Sequence, residues 1–118
     1  MAKSKKPAKL IATIARVKTM NQVWRIKFVD EFVEDETLQG LCIRDKREIC
    51  VKNGGAVDAQ LDTLCHEIIH AYQEINRFQL PEDVEEMHEL LAQWTSACMI
   101  DFIRGNPELV KIILESGE

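Results

Sequence analysis

The chain has 118 residues, 46 % of them hydrophobic and 30 % charged, with a formal net charge of −5. That length fits one domain with a core of its own, so folding needs no disulfides. The acidic balance argues against a nucleic-acid binder built on a broad basic face. No apolar run approaches the ~20 residues that span a bilayer, and no stretch reads as a signal peptide. The expectation is a cytoplasmic protein with reduced cysteines and no membrane partner.

In chain order, residues 1–9 form a basic tail with Lys3, Lys5, Lys6 and Lys9, expected to be flexible, ahead of a single domain over residues 10–118. Residues 10–20 fit a short helix or a strand equally. From Val23 to Phe32 apolar and polar residues alternate, which predicts a half-buried strand. Leu41-Cys42-Ile43 and Glu48-Ile49-Cys50-Val51 flank a polar four-residue turn and predict a hairpin, closed by Asn53-Gly54-Gly55. From Val57 to Asn76 the apolar residues Leu61, Leu64, Cys65, Ile68, Ile69 and Tyr72 recur at helical spacing, with Asp58 as the expected N-cap. Pro81-Glu82-Asp83 predicts a second helix start with proline at its first position. That helix runs to about Arg104 on a stripe of Val84, Met87, Leu91, Trp94 and Cys98, and Gly105-Asn106-Pro107 ends it. A short last helix covers about Leu109 to Leu114. The fold class is α+β: a small antiparallel sheet of about three strands, packed on two main helices and a short C-terminal one.

Chemistry concentrates in His66-Glu67-Ile68-Ile69-His70, which holds two of the chain's three histidines. Residues four apart share one helix face, so His66 and His70 can offer two imidazole nitrogens to one zinc ion. Glu67 is turned about 100° from His66, which suits it to take a proton from water rather than bind the metal. Ile68 and Ile69 suggest a helix set in the core and a partly dry site. A catalytic zinc site commonly takes three protein ligands and keeps one position open. The third should come from the second helix, packed on the first; Glu82, Glu85, Glu86, His88 and Glu89 are the candidates. Tyr72, His88, Arg44 and Arg47 are candidate donors to a developing oxyanion. Cys65 cannot share an ion with its neighbour His66 and reads as core, as do Trp24 and Trp94.

Residues His66 to Pro107 resemble a family of minimal HExxH zincin metallopeptidases, of the gluzincin type and related to the ImmA/IrrE group, often encoded by phages and prophages. The likeness rests on Leu64-Cys65-His66-Glu67-Ile68-Ile69-His70-Ala71, on Glu85-Glu86-Met87-His88-Glu89-Leu90-Leu91-Ala92, and on Gly105-Asn106-Pro107-Glu108-Leu109. The hairpin Gly40 to Val51 resembles the family's strand pair, so the likeness covers about residues 22–115. It implies one Zn²⁺ per chain on His66, His70 and Glu86, with Glu85 one register away, and Glu67 as general base in peptide-bond hydrolysis. The stretch from Ala92 to Asn106 is about a turn longer than the family pattern. Implied partners are a peptide or protein substrate, including regulatory proteins; a phage-encoded member would act in the host cytoplasm. The rival reading is a catalytically silent zinc-binding module that keeps the scaffold as a regulatory or interaction protein.

Overall fold

A computed structural model of the chain describes residues 13–33, 35–76 and 82–116; the basic tail lies outside them. Four strands, β1 (Arg16–Thr19), β2 (Gln22–Val29), β3 (Gly40–Ile43) and β4 (Glu48–Lys52), precede three helices. The helices are α1 (Val57–Asn76), α2 (Val84–Gly105) and α3 (Pro107–Ser116). The α+β class holds, while the sheet has four strands in the order β1-β2-β4-β3. It is mixed rather than antiparallel, because β2 and β4 pair in parallel, with Ile26 beside Ile49. After β2 the chain runs out to the sheet edge, forms β3, and turns back as β4 into the space beside β2. Strand alternation reports which face is buried and not which strand lies alongside, so pattern alone could not see this pairing. The structure buries Glu48 to Val51 throughout, as befits a central strand.

One sheet face carries Val17, Trp24, Ile26, Ile49 and Val51 into the core, where they meet Leu61, Leu64, Ile68 and Ala71 of α1 and Leu109 and Ile112 of α3. Burying Leu64 completely contributes roughly 1.5–3 kcal/mol by area. The turn into α1 uses Gly54 and Gly55 at φ +90° and +75°, which side chains with a Cβ resist.

Several local expectations are corrected. Asp58 lies inside the first turn of α1 rather than capping it, since Gln60 N–H already donates to the Ala56 carbonyl at 3.1 Å. The cap of α2 is Asp83, whose carboxylate accepts from Glu86 N–H at 2.9 Å; Pro81 falls outside the described residues. Of the expected α2 stripe, Cys98 is buried and Trp94 half-buried, whereas Val84 is 59 % exposed. The reason is what α2 packs against. Its C-terminal half lies on β1, tied there by two side chains. Asp101 Oδ2 accepts from Met20 N–H at 2.8 Å. The Asn106 amide receives Lys18 N–H at 2.7 Å and donates to the Lys18 carbonyl at 2.8 Å. Between α1 and α2 an apolar cleft of about 220 Å³ remains, bordered by Ile68, Ile69 and Tyr72 on one side and Trp94, Cys98 and Phe102 on the other.

Candidate metal centre

The amphipathic register of α1 sends Leu64, Ile68 and Ala71 inward and leaves His66 and His70 on the solvent side, one turn apart. Their rings meet edge to face with centroids 4.9 Å apart. The two Nε2 atoms lie 3.2 Å from one another. Two nitrogens each ~2.0–2.1 Å from a tetrahedral zinc stand about 3.3–3.4 Å apart, so the pair is spaced as two ligands of one ion. Gln73, one turn further on, fixes the outer nitrogen: His70 Nδ1 lies 2.9 Å from its Oε1. An amide oxygen only accepts, so this contact suits the tautomer with the proton on Nδ1, which leaves Nε2 to present its lone pair. Sequence reasoning overlooked Gln73, although its place three residues after His70 put it on the same face.

Glu67 points to the sheet side and is 8 % exposed. It is buried by strand β3, which passes so close that a Cβ on Gly40 would sit 2.6 Å from Thr63 Cγ2 and 3.1 Å from Glu67 Oε2. Gly40 is thus a second residue that sequence reasoning missed; a glycine opening a strand gives no local sign that a helix side chain fills its place. The site is otherwise open. Ile69 is 50 % exposed and both histidines are exposed, which corrects the expectation of a partly dry site: only the Glu67 side of the helix is covered.

A cleft of about 590 Å³ runs between α1 and β3, lined by Gly40, Cys42, Arg44, Glu67, His70 and Gln73 among others. Its β3 wall is a sheet edge. Lys52 N–H donates to the Gln39 carbonyl at 2.8 Å, so by antiparallel alternation Leu41 and Ile43 bond to β4. Gly40 and Cys42 therefore direct their main-chain N–H and C=O groups outward along the cleft. At its far end Arg44 Nη1 donates to Glu74 Oε2 at 2.9 Å, with the arginine side chain 68 % exposed. Burial, and then the carboxylates of Glu67 and Glu74, push the Cys42 thiol up to about 11, so it stays protonated and serves as a packing group. Burial likewise raises the Cys65 thiol, in keeping with its reading as core.

Other candidates stand elsewhere. Glu86 is in the first turn of α2, exposed like Glu82, Glu85, His88 and Glu89. Among the described residues no group of three His, Cys, Asp or Glu side chains is placed to hold one metal ion, so the structure pairs His66 with His70 and leaves Glu86 apart from them. Tyr72 is 2 % exposed and its hydroxyl donates to Asp101 Oδ2 at 2.7 Å. Burial and then that carboxylate raise its pKa, which marks it as a tie between α1 and α2 rather than a donor to substrate. Arg47 lies in the β3–β4 turn at φ +50°. Of the proposed oxyanion donors, only Arg44 lines the cleft.

No family model matches this chain, and neither a characterised protein nor a solved structure matches it. The zincin resemblance therefore rests on the motif residues and on the geometry of α1. Among the described residues no helix is long and apolar enough to cross a membrane.

Proposed function

We propose that the chain is a zinc-dependent metallopeptidase of the minimal HExxH type that hydrolyses peptide bonds in a protein substrate. The observation that carries this reading is the 3.2 Å separation of the His66 and His70 Nε2 atoms, which face one another on the solvent side of α1. A bound zinc ion would polarise the scissile carbonyl and bring the pKa of the attacking water towards neutrality. Glu67, beside the pair, takes the proton from that water and returns it to the leaving amine. Gln73 keeps His70 in the tautomer that binds. The outward main-chain groups of Gly40 and Cys42 hold an extended peptide as an added strand, and Arg44 offers charge-assisted donors at the end of the cleft. The family resemblance assigns the third ligand to Glu86, with Glu85, His88 and Glu89 as rivals.

The test combines metal analysis with cleavage of a proteome-derived peptide library read by mass spectrometry. Wild type should hold one zinc per chain and cut a defined subset of peptides. Glu67→Gln should keep the zinc and lose cleavage by about 10²–10⁴-fold, whereas His70→Ala should lose both. Undiminished cleavage by Glu67→Gln would sink the mechanism. Zinc binding without any cleavage by wild type would instead favour the silent module. Glu86→Ala should weaken zinc binding, and an unchanged affinity would pass the third ligand to Glu85, His88 or Glu89.

A further inference from the structure

The solvent face of the sheet has a charge unlike that of the rest of the molecule. Strand alternation sends Val17, Thr19, Trp24 and Ile26 inward and therefore sends Arg16, Lys18, Arg25 and Lys27 outward. Pairing places Arg16 directly opposite Arg25 and Lys18 opposite Val23. The four cations thus form a row across β1 and β2, in two steps of ~6.7 Å each along the strands. Like charges directly opposite across strands destabilise a sheet, a cost that a merely solvated face avoids by mixing signs. The carboxylate within reach is Glu48, and it is already engaged: Arg25 Nη2 lies 2.5 Å and Lys27 Nζ 3.1 Å from its Oε2. Lys27, with Arg25 and Lys46 also near, holds the Glu48 carboxyl below the usual range, so it stays ionised as an internal counter-charge. Even so, the Arg25 and Lys27 side chains remain 61 % and 53 % exposed. The acids of the first turn of α2, Glu85 and Glu86, belong to the helical layer on the other side of the sheet.

We propose that this face binds the phosphate backbone of duplex nucleic acid, independently of sequence. Charge complementarity points to a polyanion. Protein partners bury an apolar centre, whereas here the cations hold the β1–β2 half of the face: Val23, 47 % exposed, and the half-buried Val29 stand at the two ends of β2, and Leu41, Ile43 and the buried Cys50 lie on the β3–β4 half. Readers of single strands stack bases on aromatic rings, whereas Trp24 lies on the helix-covered face and Phe28, two strand positions further on, shares it. A row of cations without rings, its apolar neighbours set at the strand ends and on β3 and β4, matches contacts that position a duplex without reading it. None of these residues lines the cleft beside His70, so the inference stands apart from the proposed peptidase activity.

The experiment is fluorescence anisotropy of the full chain with a labelled mixed-sequence 20-base-pair DNA duplex from 50 to 200 mM salt. About four phosphate contacts give a slope of log K against log salt near −3.6. The variant Arg16→Gln/Lys18→Gln, on the exposed side of an edge strand, should reduce that slope by about 1.8 while leaving the circular dichroism unchanged. Lys27→Gln alone should reduce it by about 0.9, and serves if the double variant does not fold. Absence of binding at 50 mM salt overturns the proposal. So does binding that survives these variants but disappears on Lys3, Lys5, Lys6 and Lys9→Gln. Binding to phosphatidylserine vesicles without binding to the duplex overturns it as well.

Discussion

At the scale of single residues, the most consequential position outside the motif is Gly40. Strand β3 lies against α1 only because nothing projects from this Cα, and the Glu67 side chain fills the space. Gly40→Ala would place a methyl 2.6 Å from Thr63 Cγ2, forcing β3 and α1 apart. The expected loss is about 1–3 kcal/mol of stability, measured by urea denaturation. Thr63→Ser removes the obstructing methyl, so the Gly40→Ala/Thr63→Ser double variant should recover part of that loss; strict additivity would rule out the steric cause. His66, Glu67 and His70 were legible as a triplet because their relation depends on helix pitch alone. Gly40 was not, because its role depends on which strand lies beside that helix; the same pairing is what singles out Arg44 from the four candidate donors read in the sequence.

At the scale of elements, α1 and α2 differ in how they are held. Helix α1 is anchored along its length by core residues, which accounts for the agreement between its predicted and observed bounds. Helix α2 is anchored by its C-terminal half, through Asp101 and Asn106 to the β1–β2 hairpin. The Asn106 amide substitutes for a neighbouring strand, satisfying both main-chain groups of Lys18 at the open edge of β1. Asn106→Ala should therefore cost about 2 kcal/mol, since it leaves part-buried Lys18 N–H and C=O groups without partners. Thermal denaturation measures this, and a change within the ~0.5 kcal/mol typical of surface substitutions would refute the strand-like role. Sequence pattern recognised Gly105-Asn106-Pro107 as a stop signal. It could not reveal that the same asparagine secures a strand far away in the chain.

For the molecule as a whole, the two faces of the sheet carry different side chains: the helical side holds the histidine pair and the cleft, and the solvent side holds the cations. If the histidine pair binds zinc in the folded chain only, metal and folding are linked. Zinc at 100 times its dissociation constant should add about 2.7 kcal/mol to stability. A chelator should lower the unfolding midpoint of wild type and leave that of His70→Ala unmoved; equal shifts in both would dissociate the motif from the metal. What the amino-acid order determined by itself was local: a helix over Val57–Asn76, the two histidines on one face of it, the alternation that made a strand of residues 22–29, and the two β-prone runs around a polar turn that made a hairpin of residues 40–52. Those features follow from backbone period and side-chain type, which neighbours in sequence are enough to set. Tertiary structure alone decided that β4 runs parallel to β2, that β3 is the edge facing the histidines, that Tyr72 is spent on Asp101, and that the cations of β1 and β2 share one face. Each of these depends on contacts between segments distant in the chain, where hydrogen-bond pairing and packing choose among partners that the local pattern leaves equivalent.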